Sequence, residues 1–194
     1  ASKPETGAAE VVGLTAAALI LLIAFGSAVA MSLPLVTALV GLGIGLAALS
    51  ALGPAFGIPS VAPSLATMIG LGVGIDYALF VVTRYRTQLA AGMPVLDAVA
   101  RATATSGAAV VFAGVTVMIA ICGLAIAGVP ILSAVGYATS LVVALAVLAA
   151  ITLLPALLGL VGTRIDRLRL PWAGRSTGAG WQRWSQRVGR PPWG

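Results

Sequence analysis

The sequence predicts an all-α protein, a polytopic bundle of five transmembrane helices with the N-terminus outside and the C-terminus in the cytoplasm. Three observations carry that prediction. Of 194 residues, 60% are hydrophobic and only 8% charged, with a mean hydropathy of +1.10, whereas a soluble domain carries about 25% charged residues. A chain so poor in charge cannot cover itself with water-compatible groups, so much of its surface faces lipid. Five apolar stretches are long enough to cross a hydrocarbon core about 30 Å thick, which takes roughly 20 helical residues. Ten of the eleven basic residues then fall on one side of those stretches.

The first stretch runs from Val11 to Met31, and a tight hairpin at Ser32-Leu33 follows. Pro34 opens the second, a favourable first-turn position, which ends near Leu52 before the turn-rich "GPAFGIPSVAP". The third covers Ala62 to Thr83, the fourth Gly107 to Ala127 and the fifth Pro130 to Val161. The fifth exceeds what a span needs, so tilt or a kink near Pro155 is expected. Between the third and fourth, Gly92 and Met93-Pro94 mark a break, and "VLDAVARATA" reads as a short amphipathic helix at the interface.

Charge distribution sets the orientation. Arg84, Arg86 and Arg101 follow the third stretch, seven arginines follow the fifth, and only Lys3 lies on the other side. Five spans put both arginine groups on one side, which the positive-inside rule makes cytoplasmic. Residues 1–10 then read as the remnant of an extracytoplasmic segment and 11–162 as the transmembrane unit. Residues 163–194 read as a basic cytoplasmic linker, where "WQRWSQRV" suits an amphipathic helix on headgroups. The chain begins "ASKPETGAAE" and stops at "GRPPWG", so a fragment of a longer polytopic chain is expected.

Several function classes drop out. The net charge of +6 suggests no nucleic-acid partner, because the basic residues cluster beside membrane helices. The partner implied is the lipid surface. One cysteine, Cys122, makes no disulfide framework, and the absence of histidine removes histidine metal sites and triads. No enzyme is expected, and no cofactor.

"GVGIDYALFVVTRYR", residues 72–86, holds the one acid within the apolar stretches. Asp76 lies eight residues before Arg84, about 12 Å into the membrane at about 1.5 Å per residue. An ionised Asp near the bilayer centre costs about 2.5–3.5 kcal/mol. That cost is tolerated when the carboxyl is protonated, paired or beside internal water, and all three suit a proton site. The competing reading is a protonated Asp that packs by hydrogen-bonding a neighbouring helix. Gly72, Asp76, Phe80 and Thr83 share one helical side, expected to face the bundle. Gly70 and Gly74 form a GxxxG on the adjoining side, so Gly70, Gly72 and Gly74 are all expected at helix contacts. Gly41 and Gly45 repeat the spacing in the preceding span. Tyr77 is deep enough to donate a hydrogen bond to a partner carboxylate. Tyr85 reads as an interfacial aromatic, and Arg84 and Arg86 as cytoplasmic anchors reaching headgroups.

"GLGVGIDYALFVVTRYR" with "AAGMPVLDAVARATATSGAAVVFAGVTVMIAICGL" resembles the MmpL family of resistance-nodulation-division transporters. The likeness covers the chain to about Pro171, as the second to sixth helices of a twelve-helix protein. It implies export of lipids or other hydrophobic compounds from the cell membrane, with protons as coupling ion. It also implies that Asp76 and Tyr77 act in a proton relay with an equivalent pair in a missing C-terminal half. Ala113 stands where a serine is frequent in the family, leaving Thr116 as the fourth span's possible relay neighbour. Thr87-Gln88 replace acidic residues common there. The same unit is similar to a sterol-sensing domain, so a lipid-sensing or regulatory module is the alternative function.

Overall fold

A computed structural model describes residues 5–166, all of its regular elements helical. The expected amphipathic helix at 181–188 lies outside them. Five α-helices follow in order: α1 (Glu5–Phe25), α2 (Ala28–Phe56), α3 (Ala62–Ala90), α4 (Val95–Cys122) and α5 (Pro130–Val161). Short 3-10 turns, Gly123–Ala127 and Gly162–Asp166, follow α4 and α5. Among the described residues, four helical stretches are long and apolar enough to cross a membrane: Ala28–Pro54, Ala62–Ala90, Val95–Ile126 and Pro130–Ile165. The apolar part of α1, Val11–Phe25, is shorter.

Three helices carry a buried residue at every fourth position. In α3 these are Ala62, Ala66, Gly70, Gly74, Ala78 and Val82. In α4 they are Ala98, Ala102, Ser106, Val110 and Gly114. In α5, Ala138, Val142, Ala146, Ala150, Leu154 and Leu158 repeat the spacing. Residues four apart stand one above another on a helix. When they are small they form a shallow ridge that lets backbones approach closely, the chief source of packing energy where lipid is as apolar as the side chains. Helix α5 is the centre, packed against α2, α3 and α4, while α1 lies against α2. Both glycines of the α2 pair meet α5. A Cβ at Gly41 would stand 3.0 Å from Ala149 Cβ, and one at Gly45 3.1 Å from Val142.

Two expected boundaries move. The first turn falls at Gly26-Ser27, six residues before the predicted hairpin. Gly26 takes φ 61°, open to glycine at no cost. Ser27 then caps α2, its Oγ accepting from the Ala30 N–H at 3.5 Å and donating to the Ile165 carbonyl at 2.6 Å. Pro34 therefore sits inside α2, not at its start. Its ring withholds a hydrogen bond from the preceding turn, which a helix packed among neighbours tolerates in a membrane.

The separate interfacial helix also gives way. Residues 95–104 are the opening turns of α4, continuous to Cys122. The every-fourth-residue ridge explains it: Ala98 and Ala102 are in line with Ser106, Val110 and Gly114, and no Gly or Pro interrupts them before Gly107. The expected break at Gly92 to Pro94 is present, with φ 82° at Gly92. Helix α5 has the predicted bounds and continues through Pro155.

Candidate functional site

Asp76 stands at the midpoint of α3, with fourteen residues of helix on either side. Its surroundings follow from which side of α3 is buried. A Cβ at Gly70 would come within 2.7 Å of Val142 Cγ1, and one at Gly74 within 3.1 Å of Ala38 Cβ. These two glycines hold α3 against α2 and α5, as the GxxxG spacing predicts. Asp76 comes two residues later, about 200° around the helix at 3.6 residues per turn. A side chain there cannot also meet α2 and α5.

The face of Gly72, Asp76, Phe80 and Thr83 accordingly turns outward, the reverse of the expectation. Gly72 is exposed, with no atom within 4 Å of its Cβ position, so it makes none of the predicted packing. Asp76 is exposed on the wall of a groove between α3 and α4. The groove, about 280 Å³, is lined by Asp76, Tyr77 and Phe80 from α3 and by Ala109, Val110 and Ala113 from α4. The fourth span does flank the acid, as expected, and the described residues that line the groove all come from α3 and α4.

Tyr77 turns the other way. It is half-buried, and its hydroxyl is shut from solvent without a hydrogen-bond partner among the described residues. Its Cε2 lies 3.6 Å from where a Cβ at Gly114 would stand, and that Cβ would overlap Val147 Cγ2. Gly114 thus makes room where α3, α4 and α5 meet. Reading the sequence passed over this residue, although the every-fourth spacing from Ala98 marks it. Thr116 is not in the groove: it is exposed, and its hydroxyl donates to the Phe112 carbonyl at 2.9 Å.

A second groove, about 400 Å³, continues toward the arginines. Thr83, Arg84 and Thr87 line it from α3, and Thr105 and Ser106 from α4. It shares Phe80 and Ala109 with the groove at Asp76. Arg84 is exposed, consistent with an anchor. Arg86 instead turns inward, its Nη1 donating to the Phe25 carbonyl at 3.0 Å while the guanidinium lies 5.4 Å from the Phe25 ring centroid. The last carbonyls of a helix lack helical partners and carry partial negative charge. A cation there holds the end of α1 more firmly than a headgroup contact would. Tyr85, expected at the interface, is fully buried, with its hydroxyl 3.5 Å from the Leu158 carbonyl.

A helix bundle with several membrane-length spans and an Asp-Tyr pair at the middle of one of them defines a multi-pass membrane protein with an ionisable intramembrane site. The MMPL family profile matches residues 1–193, and the chain belongs to that family. It is 48% identical over 120 residues to membrane protein YdfJ of Bacillus subtilis, covering 62% of this chain and 17% of that protein. It is 38% identical over 116 residues to the trehalose monomycolate exporter MmpL3 of Mycolicibacterium smegmatis, covering 57% and 11%. It is 35% identical over 124 residues to the mycolic acid-containing lipids exporter MmpL11 of the same organism, covering 64% and 13%. The matched stretches therefore cover at most 17% of the length of these relatives.

Proposed function

We propose that this chain is a fragment, from the N-terminal transmembrane half, of a proton-driven exporter of lipids or other hydrophobic compounds in the cell membrane, in which Asp76 and Tyr77 act in the proton relay. One observation supports the reading most. An exposed carboxyl at the midpoint of an apolar helix sits beside a tyrosine hydroxyl that is buried and unbonded among the described residues. Each group is costly in a membrane unless something completes it. An equivalent pair on a second transmembrane half would complete Asp76, its tyrosine donating to the carboxyl, and would accept from Tyr77 once that side chain swings toward the groove it already lines. Two relatives carry lipid exporters' names, which favours lipid cargo. Protons serve as coupling ion, and the chemistry is transport, not catalysis on a substrate. A lipid-sensing module is the alternative, distinguished by whether a second Asp-Tyr half accompanies this one.

The test uses the full-length parent transporter reconstituted in vesicles. Asp76→Asn keeps the shape of the side chain but cannot exchange a proton, so export driven by a pH gradient should fall to background while membrane abundance is retained. Tyr77→Phe should impair export more than abundance. If Asp76 only packs, Asp76→Asn is nearly neutral, and parental export rates from an inserted Asp76→Asn protein would refute the relay.

A further inference from the structure

A third groove, about 500 Å³, lies between α2 and α5 at the end of the bundle away from Arg84. It opens because α2 leaves α5. Gly41, Gly45, Leu49 and Gly53 stand one above another on α2. A Cβ at Gly45 would be 3.1 Å from Val142, whereas one at Gly53 would meet only Ile58, at 3.9 Å. Beyond Gly45 the two helices part, and Ala134 and Ala138 of α5 line the gap across from Leu49 and Leu52. Ligand pockets are typically about 300–1,000 Å³, mostly apolar with a few polar groups that fix orientation. This groove matches in size and in lining. Its polar side chains, Ser133 and Tyr137, are four residues apart and share one side of α5. Ser133 donates to the Val129 carbonyl at 3.3 Å, which leaves its oxygen free to accept. Tyr137 is 59% exposed, and among the described residues nothing hydrogen-bonds to its hydroxyl, so the phenol is free to donate. Neither α2 nor α5 contains a charged residue, so a charged headgroup has no counter-ion there.

We propose that this groove seats the aliphatic chain of an uncharged lipid, whose polar end donates a hydroxyl to Ser133 and accepts at an ester oxygen from Tyr137. Both walls belong to stretches long and apolar enough to cross a membrane, so the groove opens among acyl chains. Its described lining comes from α2, Ile58 and α5, with none from α3 or α4. A second half that completes Asp76 docks on the α3–α4 side and leaves this groove to the membrane. In that choice of occupant the proposal rests on the relay reading. The paired serine and tyrosine set the groove apart from the outer face of α4 around Phe112 and Ile119, both exposed, which acyl chains cover without preference.

Photo-crosslinking in phosphatidylcholine vesicles tests it, on this chain and on the full-length parent. The probe is a monoacylglycerol with a diazirine in its acyl chain, and mass spectrometry locates the adducts. Labelling of residues 130–141 should saturate, yield to unlabelled monoacylglycerol, and exceed that of residues 111–119 at least about five-fold, the preference that one net hydrogen bond supplies. Ala134→Phe, which fills the groove, should abolish the saturable part and leave residues 111–119 labelled as before. Tyr137→Phe, which removes only the hydroxyl, should raise the half-saturating concentration about five-fold. A lysophosphatidic acid with the same chain should show no preference for the groove. Unsaturable labelling at equal levels on both stretches would overturn the seat, as would saturable labelling that neither variant changes. Equal preference for the phosphate-bearing probe would overturn the uncharged class. Saturable labelling in this chain but not in the parent would mean that the transporter's own helices fill the groove, and would overturn the lipid as its occupant. None of these outcomes touches the relay, which fails separately on full export by an Asp76→Asn parent.

Discussion

At Gly114 the absence of a side chain is what the structure requires. A Cβ there would overlap Val147 Cγ2 and come into ordinary contact with the Tyr77 ring, in a bundle whose helices meet through close-packed ridges. Overpacking a tight contact costs about 1–3 kcal/mol. Gly114→Ala should therefore lower the thermal stability of the detergent-solubilised protein by a free energy in that range. Adding Val147→Ala, which removes the overlapping methyl groups, should restore most of the loss. A Gly114→Ala protein as stable as the parent would show that α4 and α5 part more easily than their spacing implies. Asp76 shows how far single-residue reasoning reaches. An acid in an uncharged run is visible to any reader of the sequence, because its place along the span alone marks it as costly in hydrocarbon. Which neighbours it meets depends on the rotation of α3, and Gly72 and Gly74 are equally small candidates for the inward side.

For whole elements, α1 is the helix with least support. It packs against α2, and its end is held by Arg86 at the Phe25 carbonyl and ring. A hydrogen bond to a charged group is worth about 1.5–3 kcal/mol, and a cation over an aromatic ring adds about 0.5–1. Arg86→Met should leave α3 in place and loosen α1. Hydrogen exchange in residues 18–25 should speed up, with little change in α3 and α5. Arg86→Lys should restore only part of the protection, since an ammonium keeps the charge but loses the planar stack. Unchanged exchange in α1 would mean that α2 alone holds it. The predicted headgroup role for Arg86 was plausible because an arginine at a helix end and an arginine at another helix's end look alike in one dimension. Phe25 is 61 residues away. Helix α4 makes a similar point: periodicity joins residues 95–104 to the rest of the span, while their amphipathic pattern after the break at Gly92 suggested a separate interfacial helix.

Across the whole molecule, a central α5 ringed by α2, α3 and α4 explains the length of that helix. At about 1.5 Å per residue, its 32 residues exceed a bilayer's hydrocarbon core, and near its C-terminal end the Leu158 carbonyl faces Tyr85. The ten-to-one division of basic residues predicts an N-terminus outside and a C-terminus in the cytoplasm. In a Cys122→Ser background, Lys3→Cys should react with an impermeant thiol reagent in intact cells, and Arg175→Cys should react only after the membrane is opened. The opposite pattern would invert the topology.

Composition and local spacing establish the solvent of this protein, most of its helices and the place of one acid within an apolar run. Low charge demands lipid, long apolar runs demand helices, and one acid among them demands a reason. The bounds of α5 and the packing role of Gly70 and Gly74 were legible for the same cause: local composition and spacing act within a single helix. Only the tertiary structure decided where the first turn falls, because Gly26-Ser27 and Ser32 through Pro34 both offer helix-end chemistry. Burial of Ser27 against Ile165, 138 residues away, favours the former. Only the fold decided which side of α3 is open. Two glycine-lined sides about 200° apart are indistinguishable until Val142 and Ala38 occupy one of them, and what remains for Asp76 is the groove beside α4.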